Sequence, residues 1–118
     1  MSIPHANPGD IIDIRPLGNQ VSDTKTHTLI KTDTLQVIRL VLPAGKSIAE
    51  HQAPGEITVQ CLEGAVDFTA VGKTQTLTPG QMLFLSPAAP HALLAAQDSS
   101  LLVTLRLPGS HVGQSLRD

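Results

Sequence analysis

A chain of 118 residues with eight Lys and Arg, ten Asp and Glu and a formal net charge of −2 has the length of a single domain. Like charges form no blocks, which excludes the electrostatic footprint that nucleic acid or an anionic membrane surface requires. Cys61 is the only cysteine, the first residues carry no basic or apolar leader, and no apolar run nears the ~20 residues that span a bilayer; a soluble, cytoplasmic protein is expected.

Residues 1–25 show no periodicity and read as an extended arm. From there on, short runs rich in β-branched residues alternate with Gly, Pro and Asp. In chain order the predicted strands are His27–Lys31, Leu35–Leu42, Ser47–His51, Ile57–Leu62, Ala65–Ala70, Thr74–Leu77, Met82–Leu85, His91–Ala95 and Leu101–Leu107. Turn signals such as Pro43–Gly45, Pro54-Gly55, Glu63-Gly64 and Pro79-Gly80 separate them. Many short strands at this spacing predict an antiparallel sandwich or barrel over residues 26–108, followed by a flexible tail over 109–118. Val71-Gly72-Lys73 reads as a hairpin tip, because glycine accepts the positive φ of a tight turn.

Alternation assigns faces. Ile57, Val59 and Cys61 share one side of their strand, and Thr58 and Gln60 share the other. The strand LQVIRLVL (Leu35–Leu42) is apolar on both faces, so its outer face needs cover, for instance from a second subunit. Arg39 lies within it and needs a carboxylate partner if buried; Asp67, on a neighbouring strand, is one candidate, although it reads first as a surface residue. With two Phe and no Trp or Tyr, any pocket must be lined by aliphatics, Met and Cys, with few polar groups.

Two segments carry a resemblance. PAGKSIAEHQAPGEITVQCLEG (43–64) and PGQMLFLSPAAPHALLA (79–95) resemble the two signature motifs of the cupin superfamily, specifically its small single-domain, RmlC-like members. Gly45, His51 and Gly64 match the first motif, and Gly80, Pro87 and His91 match the second. The resemblance implies an all-β fold, a double-stranded β-helix or jelly-roll barrel. In that superfamily two histidines and a glutamate of the first motif, with the histidine of the second, usually hold one divalent metal. Here the second histidine falls on Ala53, the glutamate on Ile57 and the closing asparagine of the second motif on Ala95.

Only His51 and His91 therefore match the metal ligands. Two imidazoles make a weak site, since catalytic zinc needs three protein donors and non-haem iron needs two His and a carboxylate. A third donor for Fe, Mn, Zn, Ni or Cu must come from Cys61, Glu56 or Gln60. Cys61 is favoured by strand parity, whereas Glu56 requires a bulge to turn inward. Free Cys is also commonly a small buried hydrophobe. Val59, Cys61, Met82 and Phe84 are the expected pocket lining around the two histidines. His5 and His111 lie near the ends of the chain, and His27 reads as strand decoration.

Three functions stay open. If the protein is an enzyme, the resemblance implies a metal-dependent oxygenase or isomerase, and no catalytic residue beyond the candidate metal ligands can be named. The epimerase branch works with a tyrosine acid, which this chain lacks. Alternatively the barrel is a metal-free module that binds or senses a small molecule, or one whose site has decayed. A homodimer is expected in each case.

Overall fold

The computed structural model describes residues 4–108. They form nine strands: β1 (His27–Lys31), β2 (Leu35–Leu42), β3 (Ser47–His51), β4 (Ile57–Glu63), β5 (Val66–Ala70), β6 (Lys73–Leu77), β7 (Met82–Leu85), β8 (His91–Ala95) and β9 (Ser99–Arg106). The strands build two antiparallel sheets, in the orders β1-β2-β9-β4-β7 and β3-β8-β5-β6, the jelly-roll architecture expected from the sequence. One short 3₁₀ turn, Gly18–Asp23, precedes them. No helix among the described residues is long and apolar enough to cross a membrane.

The core lies between the two sheets, where the inward faces meet. Ile57, Val59 and Cys61 of β4 pack with Val66 and Phe68 of β5, Leu85 of β7, Leu93 of β8 and Leu101 of β9. Each of these is an alternate residue of its strand, so the period of two that marks the strands also delivers the core.

β2 shows why a strand can be apolar on both faces. Ile38 and Leu40 turn inward, while Val37, Arg39 and Val41 turn outward and are nevertheless buried. Their cover is the chain's own N-terminal arm, whose Val21 is fully buried. The arm is anchored by polar contacts. The Leu17 and Gly18 amides donate to the Glu63 carboxylate at 2.9 and 3.0 Å, and Arg39 Nη2 donates to the Arg15 carbonyl at 2.6 Å. The outer face of β2 thus has its cover without a second subunit.

Arg39 has a carboxylate partner, but it is Glu63 and not Asp67. Arg39 Nη2 lies 3.2 Å from Glu63 Oε2 and also donates to Ser100 Oγ. Asp67 instead accepts a hydrogen bond from Thr76 Oγ1 on the exposed side of β5 and β6. Strict alternation puts Glu63 on the inward face with Cys61. A bulge between Cys61 and Glu63 resets the register against β9, so the carboxylate swings outward to Arg39.

Gly64 follows directly at φ +86°, where a Cβ would collide with Ser99 and the Asp98 carbonyl. The end of β4 is therefore fixed by a bulge, a glycine and an ion pair in succession. At the β5–β6 turn, Ala70 pairs with Lys73, and the two intervening residues, Val71 and Gly72, have φ of 53° and 76°. This is the left-handed two-residue turn that matches strand twist.

Candidate functional site: a cavity around His51 and His91

β3 and β8 place the two histidines directly opposite one another, as Cα partners in an antiparallel pair. Their ring centroids are 4.1 Å apart, with planes inclined at 59°. His91 is buried and His51 is exposed, so the pair reaches from the mouth of the barrel towards its interior. On the inner side the Phe68 ring lies parallel to His91, with 5.7 Å between centroids and 8° between planes.

Each imidazole is held the same way. His51 Nδ1 donates to the Ala49 carbonyl at 3.0 Å, and His91 Nδ1 donates to the Ala89 carbonyl at 2.9 Å. A carbonyl only accepts, so in each neutral ring the proton sits on Nδ1 and Nε2 keeps its lone pair. Burial pushes the His91 pKa down; the Ala89 carbonyl opposes that shift, and the nearby His51 adds to it.

The rings open onto a cavity of about 380 Å³. Ile38 and Leu40 of β2, Ile48 of β3, Ile57 and Val59 of β4, Leu93 of β8, and Val103 and Leu105 of β9 supply its apolar walls. Ala53 and Pro54 form part of the rim, where the Ala53 carbonyl accepts the Ala88 amide at 2.8 Å. Ala88 holds φ at 64°, a strained setting for a residue with a Cβ, one position before the carbonyl that orients His91. The rim segments of both motifs are thus joined by backbone.

The expected site residues divide. His51, His91 and Val59 line the cavity; Cys61, Met82 and Phe84 do not. Cys61 is buried in the core with Sγ 3.4 Å from the Glu63 carbonyl, and burial pushes its thiol pKa up, the opposite of what an activated thiolate needs. Met82 and Phe84 are 58% and 59% exposed and pair with Gln60 and Thr58, on the face of the sheet away from the cavity. The MLFL strand is apolar on both faces, so alternation alone cannot choose between them, and the structure turns Leu83 and Leu85 towards the core instead.

Beyond the apolar walls, two polar lining residues are not marked by the motifs. Gln36 and Gln52 bring amide groups to the cavity, Gln36 with its Nε2 bonded to Thr28 Oγ1 at 3.2 Å. Gln36 was signalled by parity, since it alternates with the inward Ile38 and Leu40. Gln52 lies in a loop, where parity gives no guide.

The fit of a divalent metal can be judged from the donors. Among the described residues no three His, Cys, Asp or Glu side chains come together as a metal-binding group. Glu56 is exposed and absent from the cavity lining, and Gln60 lies on the outer side with Met82. Ala53 and Ile57, which occupy the motif's other ligand positions, line the cavity with apolar side chains. Two imidazoles fall one donor short of a firmly held catalytic metal, so no metal-assisted step follows from this set.

Residues 38–105, more than half of the chain, match the cupin domain family. The chain belongs to the cupin family. Among solved structures, this cupin is similar to a conserved protein of unknown function from Streptococcus pyogenes, with 22% identity, a TM-score of 0.71, and coverage of 93% of this chain and 97% of that one. A cupin superfamily protein from Desulfitobacterium hafniense gives 19% identity, a TM-score of 0.70 and coverage of 86% and 99%. Salicylate 1,2-dioxygenase from Pseudoaminobacter salicylatoxidans gives 23% identity and a TM-score of 0.63, with 68% of this cupin matching only 25% of that chain. These likenesses show the fold. No curated protein matches the chain.

Proposed function

We propose that this cupin is a small-molecule binding module, whose barrel takes a compact, largely apolar ligand and meets its polar end with His51 and His91. The observation that carries this reading is the cavity itself: about 380 Å³, with aliphatic walls and, among the described residues, the two adjacent imidazoles as its only ionisable groups. Apolar enclosure with a few placed polar groups is the usual recipe of a ligand site. The apolar residues at the ligand positions of the first motif enlarge the greasy wall where a metal centre would need donors.

Occlusion tests the proposal. Ala53→Phe fills the cavity from its rim, and Thr69→Phe adds the same bulk on the exposed side of β5. Calorimetric uptake of a bicyclic probe such as 2-naphthol is expected to disappear in the first variant and persist in the second. Equal uptake by both would place binding elsewhere.

A second reading is favoured by one observation. Nδ1 of each histidine is bonded to a backbone carbonyl, the arrangement that fixes a ligating imidazole with Nε2 outward. On that reading the pair holds a divalent ion weakly, with solvent or the bound molecule supplying the remaining donors. Metal content of protein purified without tag or chelator separates the two: about one equivalent per chain supports the ion, and none taken up on dialysis removes it.

A further inference from the structure

We infer that the cavity selects neutral ligands bearing a hydrogen-bond donor, such as alcohols and phenols, over the corresponding carboxylate anions and over hydrocarbons. This rests on the binding reading above and names the chemical class that the site recognises.

With Nδ1 of both histidines donating to the Ala49 and Ala89 carbonyls, the nitrogen remaining to a ligand on either neutral ring is Nε2, which accepts. Charging both rings is disfavoured by their 4.1 Å separation, which would place two like charges side by side. The histidine pair is therefore a double acceptor, and its complement is a hydroxyl or N–H donor.

The remaining lining excludes the alternative head groups. Among the described residues neither Lys nor Arg lines the cavity, so a carboxylate entering it would shed water without meeting a cation there. The buried guanidinium of Arg39 does not supply one, because it faces the opposite side of β2 and is engaged by Glu63. Gln36 and Gln52 contribute neutral amides, which can complete the hydrogen bonding of a hydroxyl whose proton goes to Nε2. A pure hydrocarbon would fit the walls yet leave the imidazole acceptors of the buried end without a partner. His91, stacked on Phe68 and fixed by Ala89, cannot easily turn away to relieve that deficit.

The test uses three bicyclic probes of nearly one shape, 2-naphthol, naphthalene and 2-naphthoate, titrated into the full chain at pH ~8. The protein has no Trp or Tyr, so probe fluorescence is read without interference. Binding of 2-naphthol is expected to be roughly ten-fold tighter than that of naphthalene, and tighter than that of 2-naphthoate by at least as much. His51→Leu removes one acceptor at the exposed mouth, where folding is not at risk, and should shrink the preference for naphthol over naphthalene several-fold while naphthalene still binds. Equal binding of naphthol and naphthalene, or tighter binding of naphthoate, overturns the inference and leaves the binding site intact. Failure of all three probes to bind overturns the binding reading and this inference with it.

Discussion

His51 and His91 stand opposite each other in the register of β3 and β8 with ring centroids 4.1 Å apart, one at the barrel mouth and the other buried against Phe68. That relationship gives the buried ring a measurable signature. The His91 pKa is depressed by burial and by His51, so the folded protein binds a proton at this site less readily than the unfolded chain does. The stability it contributes is complete above the unfolded value, near pH 6.5, and is lost as pH falls from there towards the lower folded value. Urea denaturation at pH ~7.5 and pH ~5 should show a drop in the wild type that is smaller in His91→Gln. An unchanged drop in the variant would assign the pH dependence to other groups.

Glu63 and Arg39 set the second prediction. Burial pushes the Glu63 carboxyl up, but the Leu17 amide, the Ser100 hydroxyl, the Gly18 amide and Arg39 together hold it below the usual carboxylate range. Glu63→Ala removes the partner of a guanidinium that is 4% exposed and whose Nε already lacks a hydrogen bond among the described residues. A loss of about 2 kcal/mol is expected, short of the largest values for broken buried pairs because Glu63 keeps some contact with water. Replacing both by leucine should cost less than Glu63→Ala alone. Chemical denaturation of the three proteins decides it.

Among the described residues two non-glycine residues carry positive φ, Val71 at 53° and Ala88 at 64°. Val71 is exposed at a hairpin tip, where nothing holds its side chain, so Val71→Gly should raise stability by about 1 kcal/mol in thermal or chemical unfolding. Ala88→Gly should relax the same strain, but it also loosens the segment whose next carbonyl orients His91. The gain there should be smaller, and probe binding should weaken.

The homodimer remains a proposal, now resting on a different surface. The arm covers β2, whereas Met82 and Phe84 project from the edge strand β7 into solvent. A second copy seated on this pair predicts about twice 12.4 kDa by light scattering at micromolar concentration, falling towards the monomer in Met82→Ser/Phe84→Ser. A wild-type mass near 12.4 kDa would leave the pair as surface residues.

The strands were legible because alternation and turn residues mark them locally, and the histidine pair because both positions fall in recognisable motifs. What was not legible follows from three physical causes. Alternation cannot orient a strand such as MLFL that is apolar throughout, so Met82 and Phe84 were expected on the wrong face. A bulge breaks parity without any obvious residue signal, so alternation does not point to Glu63 as the partner of Arg39. Gln52 lies in a loop whose course depends on the Ala53–Ala88 hydrogen bond, a contact made across the barrel rim.

A small molecule that enters the barrel is expected to lodge against the two imidazoles. Methyl-resolved NMR of Ile, Leu and Val during titration with 2-naphthol tests it most directly. Saturable shifts are expected at Ile38, Leu40, Ile48, Val59 and Leu93, together with the His51 and His91 ring signals, and little change at Val71 or Leu29. Shifts centred anywhere else, or none at saturating probe, would contradict it.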